Sequence, residues 1–203
     1  MSAIKSMNEI PNTKLLEDCF TLNVEETKNK YACGFESHLE NFIAYTSCGV
    51  RFIHGKSGID TSMIVRNLAK ALCEKRLIKG AHIVDDYTGI EKYKSFMKWL
   101  LVEEFKVNKN NSNKYLTDML PEAKDQKDAP YLLILDRFDD VFNHPNIPTA
   151  IKVLAQKCNL NNKLSVIAII NNKDIPVNAT KLWNANHKIS KISLEFSIKK
   201  ETF

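Results

Sequence analysis

The sequence has no apolar run approaching the ~18 residues that a membrane-spanning helix requires. Its first residues, MSAIKSMNEIPNTK, lack the continuous apolar stretch of a signal peptide. Only five cysteines occur (Cys19, Cys33, Cys48, Cys73, Cys158), scattered and odd in number, with no CxxC pair. That excludes zinc-ribbon and thioredoxin-type readings and a disulfide scaffold, and leads us to expect reduced thiols. Arginine is scarce: of 29 basic residues only Arg51, Arg66, Arg76 and Arg137 are arginines, and none follows Arg137. With six glycines, a collagen-like repeat is out as well.

What remains is an ordinary globular composition: 203 residues, 44% hydrophobic and 26% charged, enough for about one domain. The formal charge of +5 permits contact with nucleic acid but is a weak signal over this length. The structured segments alternate. Phe35 to Thr46 has helical spacing, Val50 to Ile53 reads as a strand, and Thr61 to Arg76 reads as a helix. A strand over Ala81 to Val84 and a helix over Glu91 to Phe105 follow. Tyr131 to Leu135 and Leu164 to Ile170 are apolar on both faces, as buried parallel strands should be. Between these two strands Ala150 to Cys158 forms a helix, and Ile189 to Phe196 is a last, more polar strand. Lys106 to Lys114 and Pro121 to Pro130 are polar loops flanking a turn or two of helix over Tyr115 to Leu120. The pattern predicts an α/β three-layer sandwich with a mostly parallel five-stranded sheet, and ligands beyond the carboxyl ends of its strands.

The loop after the first core strand reads HGKSGIDTS over 54–62. A strand, a glycine loop and a helix form the layout of a phosphate-binding P-loop, whose full pattern is GxxxxGK[ST]. Gly55 fills the first position and Ser62 the last, and Gly58 adds an inner glycine. Asp60 stands where the second glycine belongs and Thr61 where the lysine belongs. A carboxylate about 4 Å from a phosphate repels it by about 4 kcal/mol at an effective dielectric of roughly 20. The candidate nucleotide contacts are Gly55, Lys56, Ser57, Gly58, Thr61 and Ser62, with Lys56 as a stand-in cation. The alternative is a tight strand-to-helix turn in which Asp60 or Thr61 caps the helix.

The strand over Leu132 to Leu135 runs into Asp136, the hhhhD layout of a Walker B strand, in which Asp136 and Ser62 would hold Mg²⁺ when a nucleotide is bound. Arg137 follows where hydrolysing members of that class usually carry Glu. Asp139 and Asp140 lie close enough to be catalytic candidates, or to cap a helix start. The next apolar strand ends at Asn171, with Asn172 beside it; an amide here can contact a γ-phosphate or the attacking water, or can simply shape a loop.

In this order, FIHGKSGIDTS, LLILDRFDD, VIAIINNKDIP and HKISKISLEF resemble the P-loop, Walker B, sensor and last core strands of an AAA+ ATPase core. The initiator clade is the most similar, meaning origin recognition complex subunits and related replication loaders. The resemblance covers roughly Phe35 to Phe196. It implies an N-terminal extension over 1–34 and a nucleotide-binding core over 35–203, without the helical lid or winged-helix domain. It further implies a nuclear protein, otherwise a cytoplasmic one, that packs against other AAA+ subunits of a multi-protein complex, with DNA as a further partner and no membrane role. Because the P-loop lysine, the Walker B Glu and any later arginine are missing, the expected activity is that of a pseudo-ATPase for which ATP/Mg is a doubtful ligand. A second resemblance is to STAND or NACHT-type nucleotide switches. It rests on Asp136, Phe138, Asp139 and Asp140 and on Gly58-Ile59, against the absence of an arginine after the fourth strand. The lysines Lys181, Lys188, Lys191, Lys199 and Lys200 would either touch DNA phosphates or form a solvated face. His38, His54, His82, His144 and His187 have no metal-ligand spacing.

Overall fold

Residues 18–20, 48–55, 60–108, 115–121, 129–142, 144–171 and 189–194 are described by the structure, a computed structural model. Five strands are seen: β1 (Val50–Gly55), β2 (Gly80–Val84), β3 (Tyr131–Leu135), β4 (Leu164–Ile170) and β5 (Ile189–Leu194). They form one sheet in the order β2-β3-β4-β1-β5, every pairing parallel. The registers set Val50 against Val166 and Ile189, and Tyr131 against Leu164 and Gly80. The carboxyl ends of β1 and β3 therefore flank the end of β4.

Period-two alternation divides the apolar side chains between two layers. Val50, Phe52, Val84, Leu133, Leu135, Val166 and Ala168 face one core. Ile53, Ala81, Leu132, Ile134, Ile167 and Ile169 face the other. The second core is covered by α1 (Thr61–Glu74), whose Val65, Leu68, Ala69 and Leu72 make a buried stripe at helical spacing. On the first lie α2 (Phe96–Trp99), α3 (Leu116–Met119) and α4 (Ile147–Asn161). This is the three-layer sandwich the apolar strands predict.

Several helix limits differ from the sequence reading. The helix α1 stops at Glu74, because Arg76 turns to φ +57° and the Leu77 N–H reaches back to the Leu72 carbonyl. The single helix expected over Glu91 to Phe105 is broken. Gly89 (φ +81°) opens a 3-10 turn over Ile90–Lys92, Tyr93 is extended, and helix resumes only at Phe96. It then widens to a π-turn over Leu100–Glu104, closed by the Phe105 N–H on the Leu100 carbonyl. α4 begins earlier than expected, with Pro148 in its first turn, and ends on Asn162 in the left-handed region. The expected helix over Phe35 to Thr46 lies outside the described residues.

Phe20, from the stretch expected to precede the core, is buried in it. Its ring meets those of Tyr131 (4.9 Å), Phe105 (5.6 Å) and His82 (5.9 Å). Its carbonyl passes so close to Gly80 that a Cβ there would stand 2.1 Å from the oxygen, so only glycine fits. The π-turn carries Glu104 to His82 Nε2 (2.7 Å), while Nδ1 meets the Cys19 carbonyl (2.8 Å). Cys19, Cys48, Cys73 and Cys158 are free thiols, and burial raises the pKa of all four. No helix among the described residues is long and apolar enough to cross a membrane.

Candidate functional site

At the carboxyl ends of β2 and β3 the chain places two aspartates side by side. Val84 and Leu135 are register partners, so Asp85 and Asp136 leave neighbouring strands that lie about 4.8 Å apart. The Asp136 N–H donates to the Val84 carbonyl (2.8 Å), which carries the ladder one residue beyond the strands. The Tyr87 hydroxyl donates to the Asp136 carbonyl (2.9 Å). Burial first, and then the neighbouring Asp136, Asp140 and Asp85, push the Tyr87 phenol well above its ordinary value, so it stays a donor.

Asp136 is 4% exposed, and both its oxygens are engaged. Oδ1 accepts from the Ser62 hydroxyl (2.5 Å) and from the Arg137 N–H (2.9 Å). Arg137 itself takes the left-handed conformation (φ +48°), an uncommon state for a residue with a Cβ. Oδ2 is 3.1 Å from Arg66 Nη2, and the same nitrogen is 3.1 Å from Asp85 Oδ2. Arg137 closes the group by donating its guanidinium N–H to the Asp85 carbonyl. Two arginines thus hold two aspartates at the strand ends.

The helix start sits beside this group. Asp60 Oδ1 accepts from the Met63 N–H (2.9 Å), so the carboxylate caps α1 and takes one of the first-turn donors a phosphate would use. Of the two readings left open for Asp60, the capping one holds. Thr61, at the pattern's lysine position, is buried. Gly55 ends β1; Lys56, Ser57 and Gly58 lie outside the described residues. On the other flank, Asp139 is buried and its Oδ1 accepts from the Asn171 N–H (3.1 Å), tying the turn after β3 to the end of β4. Asp140 and Asn171 are exposed; Asn172 lies outside the described residues.

Ser62 and Asp136 were expected to meet, and they do. The residues around them do not fit Mg²⁺ as arranged, because Asp136 Oδ2 faces a guanidinium and Oδ1 already accepts two hydrogen bonds. No group of three or more His, Cys, Asp or Glu side chains able to hold a metal occurs among the described residues. Arg66, Asp85 and Tyr87 were missed from sequence. Two signals pointed to the first pair. Arg66 is four residues beyond Ser62 on one helix face, and Asp85 ends a strand next to the Asp136 strand, so two like charges needed a cation.

No protein-family model and no curated protein sequence matches the chain. Among solved structures, a chain of Drosophila ORC bound to DNA is similar at a TM-score of 0.53 and 18% identity. The likeness covers 81% of this chain and 43% of that one, so the present chain spans less than half of its length. The likeness is one of fold, an AAA+-like three-layer sandwich. A DNA replication initiation factor (TM-score 0.46, 14% identity, 88% of this chain and 50% of that one) has also been matched. So has C. elegans PCH-2 (0.43, 8%, 76% and 39%). At the strand ends of this fold, the charges of Asp85 and Asp136 are paired with Arg66 within the chain.

Proposed function

We propose that this chain is an AAA+-like module of a DNA-replication-origin or chromatin assembly that acts through contacts with neighbouring subunits and DNA and does not hydrolyse ATP. The observation that carries the second half is Asp136, the expected metal ligand, whose oxygens are taken by Ser62, Arg137 and Arg66. Fast phosphoryl transfer on a P-loop needs a lysine on the phosphates, a metal and a water-polarising group together. Here Thr61 is buried at the lysine's place and Arg137 stands at the acid's. The first half is supported by the quoted strand motifs and by the likeness to a chain of DNA-bound ORC. A module of this kind works where such complexes do, in the nucleus, with other AAA+ subunits as its neighbours.

The test is steady-state turnover of Mg-ATP by the folded chain, alone and with duplex DNA. The expected result is no rate above that of the Asp136→Ala variant. A rate in the chain itself that disappears on Asp136→Ala overturns the proposal.

A further inference from the structure

The pair at the strand ends has an unusual charge arrangement. Asp85 and Asp136 follow register partners of two adjacent parallel strands, so their negative charges are held together by the sheet itself. The counter-charge comes from α1. Arg66 follows the buried Val65 and precedes the buried Leu68 and Ala69, which fix the helix against the sheet and aim the guanidinium at the pair. One nitrogen, Nη2, bridges the two carboxylates at 3.1 Å each. The Ser62 hydroxyl, one turn earlier on α1, donates to the other oxygen of Asp136. A hydroxyl and two carboxylates are hard oxygen donors of the sort that take a small divalent ion. Between those carboxylates stands a guanidinium, which carries one positive charge.

We propose that Arg66 is the resident cation of this pair: it takes the place of a divalent metal and bars one from the site. A divalent ion reaching Asp136 Oδ2 would have to displace the guanidinium or stand in contact with it, like charge against like. Arg66 supplies the counter-charge from within the chain, whereas a metal's would depend on the ion's supply. The inference shares its site with the function proposed above and does not depend on the replication assignment.

Mn²⁺ alone, without nucleotide, is the probe. Its binding is followed by titration of the free ion's paramagnetic signal and by melting. The wild-type chain is expected to leave Mn²⁺ free and to melt at an unchanged temperature. Arg66→Met is expected to bind Mn²⁺ at least about tenfold more tightly than wild type. At ten times its dissociation constant, the ion should lower that variant's unfolding equilibrium constant by about 11-fold. Adding Asp136→Asn to Arg66→Met should remove the gain. Arg66→Gln, a neutral side chain that can still hydrogen-bond both carboxylates, carries the same expectation should the Met variant not fold. Mn²⁺ binding by wild type within about threefold of the variants overturns the inference, and so does a folded Arg66 variant that ignores the ion. Mn²⁺ binding by wild type leaves the functional proposal standing, and Asp136-dependent ATP turnover sinks that proposal by itself.

Discussion

Replacing Phe20 with alanine is expected to destabilise the chain by about 3–5 kcal/mol, the usual cost of removing a buried phenylalanine side chain. The ring is 3% exposed and packs on Tyr131, Phe105 and His82, which belong to β3, to the end of the π-turn and to β2. Its loss opens a cavity at the sheet edge, where, among the described residues, β2 has β3 as its one strand neighbour. The neighbours are poorly placed to collapse into it: His82 is fixed at both ring nitrogens, to the Cys19 carbonyl and to Glu104. In a chain of this size, a loss of about 4 kcal/mol corresponds to a drop in melting temperature of roughly 8–16 °C. Thermal unfolding of the full chain measures it. A melting temperature unchanged within about 2 °C would mean that Phe20 adds nothing to the stability of the core.

The second large effect falls on Asp136. In this site the carboxylate is a hub of pairing, so Asp136→Ala is expected to cost about 2–4 kcal/mol. That range combines the loss of a buried ion-pair partner with two donors left unmet. The lower part reflects Arg66, which is 35% exposed and keeps Asp85 as a partner. Asp136→Asn should be milder. The amide oxygen still accepts from Ser62 and the Arg137 N–H, while the amide nitrogen is set donor against donor toward Arg66. Chemical denaturation of the three proteins orders them wild type, Asn, Ala. A neutral or stabilising Asp136→Ala would mean that the carboxylate is held idle for a metal, as in a working ATPase, and is not committed to the chain's own donors.

Why some of this was legible beforehand and some was not has physical reasons. Strands buried on both faces read as near-continuous apolar runs, so YLLIL and LSVIAII announce themselves, and the alternation with helices then fixes the layer order. The stripe of Val65, Leu68, Ala69 and Leu72 is equally plain, because one face of α1 meets one face of the sheet. The break before Phe96 is different. Phe96, Met97, Leu100, Leu101 and Phe105 face the core in either arrangement, so periodicity does not register the extended Tyr93 or the π-turn that swings Glu104 to His82. Phe20 was invisible because its partners His82, Phe105 and Tyr131 are distant in sequence.

At the site, the motif layout was enough to bring Ser62 to Asp136, since strand order and loop lengths decide that meeting. It was not enough to settle Asp60, because the same residue can face a phosphate or cap its own helix, and the difference is a side-chain rotation. The bond to the Met63 N–H is what distinguishes them. Arg66 required two facts at once: that β2 and β3 are neighbours, and that α1 covers the end of both. Only the first is a general property of alternating α/β chains.

On our proposal, the corner where a P-loop fold would hold nucleotide and metal is closed by the chain's own charges, Arg66 standing between Asp85 and Asp136. The most direct measurement is calorimetric titration of the folded chain with Mg-ATP at near-millimolar concentration. The expected result is no saturable heat. Clear saturable binding that is lost on Asp136→Ala would contradict it, because Asp136 would then be serving a bound metal in place of Arg66.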